Sequence, residues 1–236
     1  MRLSVNVDHF ATLREARRAA EPEPALIALL AEQAGAAGIT AHLRSDRRHI
    51  KERDLRLIRE VIKTKLTLEM AATSDLKKAA LEIGPDVVCL VPEKPEELTT
   101  TGGLDVAANR KALAPFIKEL EKGKIRLSIF VDPDLKQIEA CAGLGVPQIE
   151  IHTGTYADLK PGKARERALI DVVKAAEFGH KLGLEVTAGH GLDYHNVHPV
   201  VAIPMITELS IGFSIVARSA VVGISEAVRE MVALLR

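Results

Sequence analysis

Eight short runs of β-favouring residues recur along the chain, each separated from the next by a stretch long enough for a helix. The runs are LSVNV (3–7), GITAHL (38–43), KLTLEM (65–70), DVVCLV (86–91), IRLSIFV (125–131), QIEIHT (148–153), LEVTAG (184–189) and ITELSIG (206–212). Helical patterning fills many of the gaps. In DLRLIREVI (54–62), Leu55, Ile58, Val61 and Ile62 fall on one face. PALIALLAEQAG (24–35), DLKKAALEIG (75–84), NRKALAPFIKELEKG (109–123) and ARERALIDVVKAAEFGHKLG (164–183) read the same way. SIVARSAVVG (214–223) and ISEAVREMVALLR (224–236) close the chain. Gly35, Gly84, Gly123 and Gly183 stand where helix C-termini prefer glycine.

Strand–helix alternation of this kind builds a parallel sheet. Eight units in 236 residues predict a (β/α)8 TIM barrel with extra helices. A doubly wound open sheet is the competing architecture. It wants a glycine-rich phosphate turn after the first strand, and NVDHFATLREAR contains no glycine. No linker or composition break interrupts the pattern, so residues 1–236 are expected to form a single domain.

Parallel strands are buried on both faces, so such a barrel needs an aliphatic core. The composition supplies one: Trp is absent and aromatic residues make up only 3%, leaving Ala, Val, Ile and Leu to fill the interior. Lys+Arg and Asp+Glu both total 32, which leaves no net field to recruit nucleic acid or an anionic membrane. A small anionic substrate needs only a local positive cluster. Cys89 and Cys141 are isolated thiols that make neither a disulfide framework nor a zinc motif, as expected in a reducing compartment. MRLSVNVDHF lacks the apolar core of a signal peptide, and Glu208 and Arg218 interrupt the most apolar region. A cytoplasmic protein is expected. The longest irregular stretch, PEKPEELTTTGGLDVA (92–107), follows the fourth strand and reads either as a lid or as a static surface loop.

Active sites of such barrels form at the C-terminal ends of the strands, from residues that alternate inward. Polar residues gather at those positions here: Asn6 and Asp8, then His9, on the first strand; Thr40, His42 and Arg44 on the second; Thr67 and Glu69 on the third; Ser128 and Asp132 on the fifth; Glu150 and His152 on the sixth. Burying ionisable groups without partners costs several kcal/mol each, so the set reads as chemistry or as a self-satisfied polar network. TAGHGLDYHNVH (187–198) adds His190 at the end of the seventh strand, clamped between Gly189 and Gly191. His190 suits acid/base work, since imidazole titrates near neutrality. His195 and His198 are not spaced to pair as ligands on one helical face.

Two other barrel chemistries fit less well. A metal-dependent hydrolase commonly wants His-x-His on the first strand and a carboxylate on the last; this chain offers Asn-Val-Asp-His and an eighth strand ending SIGFS. No metal is therefore expected. A Schiff-base aldolase needs a lysine at a strand end, and only Lys94 comes near one. Anion recognition is better supported. Arg17, Arg44, Arg47 and Arg48 crowd the first two βα loops, while Gly191 and Gly212 follow the seventh and eighth strands, where barrels bind phosphate on backbone amides. Two such zones suit two phosphates or one bisphosphate. A phosphate-sugar binding module without catalysis would use the same zones.

The stretches NVDHFATLREAR (6–17), HLRSDRRHI (42–50), LEMA (68–71), LVPEKPEELTTTGGLD (90–105), EIHTG (150–154) and AGHGLDYHNV (188–197) together resemble the pyridoxine 5′-phosphate synthase family of vitamin B6 biosynthesis. The resemblance implies a barrel without a cofactor that joins 1-deoxy-D-xylulose 5-phosphate to 3-amino-2-oxopropyl phosphate, releasing phosphate and water. It implies His42 as a general base, Glu69 as a second base and His190 as the general acid. Asp8, His9, Arg44, His49 and Thr99 would hold the pentulose phosphate. Asn6, Arg17, Gly191, Gly212 and the Phe213 backbone would hold the amino ketone phosphate. It also implies a homo-oligomer, an octamer in the family pattern. Phe213 departs from that pattern, which commonly has His after the last-strand glycine.

Overall fold

The computed structural model describes residues 1–93 and 101–236. Eight strands, β1 (Arg2–Asn6), β2 (Gly38–His42), β3 (Lys65–Met70), β4 (Val87–Leu90), β5 (Arg126–Val131), β6 (Gln148–His152), β7 (Glu185–Gly189) and β8 (Ile206–Ile211), pair in parallel and in sequence order. β8 pairs back onto β1, Arg2 to Glu208 and Val5 to Ile211, and closes the ring. This is the expected (β/α)8 barrel, and each strand lies within one residue of the stretch that the sequence predicts.

Eleven helices accompany the strands among the described residues: α1 (Asp8–Arg17), α2 (Pro24–Gln33), α3 (Glu52–Val61), α4 (Ser74–Ile83), α5 (Val106–Lys122), α6 (Leu135–Gly143), α7 (Gly154–Asp158), α8 (Lys163–Lys181), α9 (His198–Val201), α10 (Phe213–Val222) and α11 (Ile224–Leu234). α1, α6 and the short α7 are absent from the helical stretches that the sequence predicts. The buried face of α1 is Asp8, Phe10, Ala11 and Arg14, half of it ionisable, so its apolar period is weak. Arg14 is buried because Asp54, at the start of α3, receives both Arg14 Nη1 and Nη2 at 2.7 Å. On α6 only Ile138 and Cys141 are buried, too little for a clear stripe.

Strand alternation sorts the side chains into two regions. Outward residues such as Val5, Ile39, Leu68, Val88, Ile129 and Ile151 are fully buried in the apolar layer between sheet and helices. The alternate residues fill the lumen and are largely polar: Ser4, Thr40, Thr67, Ser128, Gln148, Glu150, Thr187 and Glu208 are all buried. The Ser4 and Thr40 hydroxyls lie 2.7 Å apart. A separate small apolar cluster of Cys89, Val91 and Phe130 sits on the β4–β5 side. Toward the N-terminal end of the barrel the lumen is sealed by ion pairs. Lys65 Nζ reaches Glu208 Oε1 at 2.6 Å, and Arg2 and Arg126 grip the two oxygens of Glu185 at 2.6 and 2.9 Å. Both cysteines are buried and free. No helix among the described residues is long and apolar enough to cross a membrane.

Candidate active site

A cavity of about 620 Å³ opens at the C-terminal end of the strands. β1 and the start of α1 bring Asn6, Asp8 and His9 to its wall; β2 and the loop after it bring His42, Arg44 and His49. β3 contributes Glu69, the turn after β7 contributes His190 and Gly191, and the β8–α10 junction contributes Gly212 and Phe213. These sequence-predicted residues, spread over most of the chain, thus meet at one place. Arg17 does not line the cavity: it ends α1 as an exposed residue. Thr99 and Lys94 lie outside the described residues, as does the middle of the 92–107 stretch that reads as a lid or a surface loop. The stretch after it is anchored firmly. Gly103 N–H donates to Asp132 Oδ1 at 2.9 Å and Leu104 N–H to the Phe130 carbonyl at 2.8 Å. A Cβ on Gly103 would stand 2.0 Å from the Asp132 nitrogen, so only glycine allows this approach.

His42 and Glu69 face each other because β2 and β3 pair in register at these two residues. His42 Nδ1 and Glu69 Oε2 are 4.0 Å apart, beyond hydrogen-bond reach. The His42 backbone N–H donates to Asp8 Oδ1 at 2.8 Å, which ties β2 to the start of α1. On the other ring nitrogen, Nε2, stands Glu93 Oε1 at 3.0 Å, and Glu93 Oε2 accepts the Ser45 N–H at 3.0 Å. Burial opposes ionisation of Glu93, yet the hydrogen bonds from His42 and Ser45 win and hold its carboxyl down at about 2. His49 is buried, and its Nδ1 accepts the Ile50 N–H at 2.8 Å. Burial, then the electrostatic influence of His42, Arg44 and His9 nearby, lowers its pKa against the pull of Asp8.

Two carboxyls in the lumen carry the opposite perturbation. Burial, then repulsion from Glu150 and Asp8, pushes Glu69 well above the usual carboxylate range. Burial and Glu208 push Glu150 up to about 7, against the hydrogen bond from Cys89 and the charge of Lys65. The Cys89 thiol lies 3.7 Å from Glu150 Oε2 and is itself driven upward by burial. A Cβ on Gly189 would fall 2.3 Å from Glu150 Oε1, so the glycine makes room for this carboxyl.

His190 adopts φ 80°, a left-handed backbone unusual for a side chain with a Cβ. Such a conformation costs on the order of 1–3 kcal/mol and persists where surrounding contacts fix it. The fixing contact is Thr153, whose hydroxyl lies 2.7 Å from the Gly189 carbonyl and 2.6 Å from that of His190. The imidazole packs edge-on against His152, with ring centroids 5.1 Å apart. His152 Nδ1 in turn stands 2.9 Å from Asp132 Oδ1. Burial and the neighbouring His152 lower the His190 pKa. His195 and His198 are exposed and outside the cavity wall.

The anion zones are built differently from each other. Gly212 N-caps α10, and ring closure presses it against Asn6, whose Cβ a methyl on Gly212 would meet at 3.1 Å. The N-terminus of α10 opens on the cavity and favours negative charge. Arg44 and Arg48 form a cationic wall after β2, with the buried His49 beside them. Arg48 lines the cavity although an arginine in such a run ordinarily signals only a solvated face, whereas Arg47 is taken up by Glu52 and Asp75. Among the described residues one group could close on a cation, since Asp8, His42 and Glu69 offer atoms within 4.8 Å of one another.

Glu93 escapes the sequence reading because its partner lies 51 residues away. It shares strand parity with Cys89 and Val91, so the strand-end rule extended past β4 would have found it. Thr12, Phe130, Glu150 and Ser210 also line the cavity.

Comparison with known proteins places the chain among relatives. The described likenesses to solved barrels show the fold alone: thiamine phosphate pyrophosphorylase from Pyrococcus furiosus (TM-score 0.61, 18% identity, 99% of this chain and 95% of that one) and phosphoribosyl anthranilate isomerase from Thermus thermophilus (0.61, 17%, 100% and 98%). Sequence relatives are much nearer. Pyridoxine 5′-phosphate synthase of Syntrophotalea carbinolica is 53% identical over 229 residues, 97% of this chain and 96% of the relative. That of Parasynechococcus marenigrum is 50% identical over 238 residues, 99% and 94%. The family model described as pyridoxal phosphate biosynthesis protein PdxJ matches residues 3–236. Neither the family nor these relatives support a metal-dependent hydrolase, and the chain belongs to the PdxJ family.

Proposed function

We propose that this chain is a pyridoxine 5′-phosphate synthase, condensing 1-deoxy-D-xylulose 5-phosphate with 3-amino-2-oxopropyl phosphate and releasing inorganic phosphate and water as the pyridine ring closes. The observation that carries this reading is the meeting of His42, Glu69 and His190 in one cavity whose wall also has two separate anion zones. One substrate brings the amine and the other the ketone, so an imine forms between them without an enzyme lysine. The dehydrations and the carbon–carbon closure then need protons moved at several carbons, hence several acid/base groups.

In this reading His42 is the general base, and Glu69, with its pKa raised by burial, is a stronger base than an ordinary glutamate. His190 is the general acid. Burial favours its neutral form in the free protein, and a substrate phosphate beside Gly191 would offset that bias by favouring imidazolium. The acid is thereby armed by the substrate. Asp8, His9, Arg44, His49 and Thr99 are assigned to the pentulose phosphate; Asn6, Gly191, Gly212 and the Phe213 amide are assigned to the amino ketone phosphate, and Arg17, outside the cavity wall, is left out of that set. Binding through the amide leaves the Phe213 ring without a catalytic task. It stands 69% exposed, edge-on to His9 at 5.4 Å. The reading includes a transferase-class, cofactor-free homo-oligomer, an octamer in the family pattern, working in the cytoplasm; sedimentation of the purified chain measures the assembly.

Mixing both substrates with pure protein tests the activity. Release of inorganic phosphate with growth of a pyridine chromophore is expected. Tight binding of one phosphorylated compound, with no phosphate released from the pair, would instead make this a binding module.

A further inference from the structure

We propose that Glu93 is a positioning residue for His42, fixing the imidazole as the Nε2–H tautomer so that the Nδ1 lone pair faces Glu69 and the cavity. This rests on the reading of His42 as a base. An ionised carboxylate only accepts hydrogen bonds, so the ring nitrogen 3.0 Å from it must carry the proton. A neutral imidazole has one N–H, and placing it on Nε2 leaves Nδ1 unprotonated. Nδ1 lies 4.0 Å from Glu69 Oε2, a separation that leaves the lone pair uncommitted to that carboxyl. The described groups that face His42 are Glu93 after β4, Glu69 on β3, Asp8 at the start of α1 and His49, whose ring centroid is 6.1 Å away. Asp8 takes the backbone N–H rather than the ring, and among the described residues only Glu93 is in hydrogen-bond reach of a ring nitrogen. When the base takes its proton, the same carboxylate stabilises the imidazolium that results.

The other oxygen of Glu93 makes the idea sharply testable. Ser45 N–H is a fixed backbone donor to Oε2. In Glu93→Gln the single amide oxygen must face Ser45, because turning the NH2 there would set donor against donor. The NH2 then faces His42 Nε2 and selects the opposite tautomer, with its proton on Nδ1 and the base blocked. Glu93→Ala imposes no tautomer. The nearly isosteric change should therefore do more harm than the truncation, an order that no packing role produces.

Ring-nitrogen NMR shifts of 15N-histidine-labelled protein, assigned with a His42→Gln control, read the tautomer without substrates. Phosphate release from both substrates reads turnover. Expected are an Nε2–H His42 in the parent, an Nδ1–H His42 in Glu93→Gln, and a kcat for Glu93→Gln reduced on the order of 10²–10⁴-fold, as for a base held in the wrong tautomer. KM should change by less than about threefold, and Glu93→Ala should retain more kcat than Glu93→Gln. A mixed or Nδ1–H tautomer in the parent overturns the proposal. So does a Glu93→Gln protein with the parent tautomer, or a Glu93→Ala protein as impaired as Glu93→Gln. If neither variant folds, the parent ring shifts alone decide. Absence of phosphate release by the parent would sink the synthase reading and leave the tautomer measurement to judge Glu93.

Discussion

Carboxylates at the two ends of the lumen have opposite surroundings. Toward the N-terminal end, Glu208 meets Lys65 at 2.6 Å and Arg2 at 3.5 Å, and Glu185 is held by Arg2 and Arg126. Toward the mouth, Glu69 is repelled by Glu150 and Asp8, and Glu150 by Glu208. One set is compensated and closes the barrel floor. The other is left uncompensated, which costs stability and raises the pKa of each group toward the range useful for proton transfer. Similar side chains in one ring of strands thus serve structure or chemistry according to whether a cation stands beside them.

Glu69→Gln strains this comparison most. Phosphate release should fall at least about 10²-fold, the scale of a lost acid/base group, while stability at about pH 8 rises. The sign follows from linkage: a carboxyl whose folded pKa is raised contributes stability fully present below its ordinary value and lost as pH climbs through the folded one. Glutamine removes that loss. A fall in stability at pH 8 would place Glu69 with the compensated set.

Glu150→Gln should show the same sign with a defined window. The rise from 4.5 to about 7 corresponds to stability on the order of 3 kcal/mol, lost by the parent across that interval and kept by the variant. Urea unfolding at about pH 4.5 and about pH 8 measures it; equal stabilities at both pH values would contradict it. Glu208→Ala should move the other way, losing about 2 kcal/mol near pH 7. That is somewhat less than breaking a fully buried pair, because Lys65 is partly exposed. Its turnover should fall far less than that of Glu69→Gln. The smallest effect is expected at the rim, where Phe213→His should alter KM for the amino ketone phosphate by less than about threefold, since the amide is retained.

The eight strands were legible because a parallel strand buried on both faces is written as a run of β-branched and aliphatic residues, and such runs need no knowledge of partners. The inward positions were legible too, since period-2 alternation placed His42, Glu69 and Glu150 on the lumen side. What stayed hidden depends on pairs distant in sequence. Arg14 looks like a surface arginine until Asp54 is seen to neutralise it, and with it the helix that begins at Asp8 loses its apolar signature. Glu93 reads as part of an acidic loop until its carboxylate meets a histidine 51 residues earlier. Arg17 falls outside the cavity wall, since it ends α1, which begins at Asp8, as an exposed residue.

The most direct measurement is the protonation of the mouth carboxyls themselves, by 13C NMR of protein labelled at the glutamate side-chain carboxyls and titrated from about pH 3 to about pH 9. The resonance absent in Glu150→Gln should still belong to a protonated acid near pH 6, and the resonance absent in Glu69→Gln should titrate above the ordinary glutamate range. If both carboxyls ionise in the ordinary glutamate range, the contrast between floor and mouth fails, and with it the reason for assigning proton transfer to the uncompensated pair.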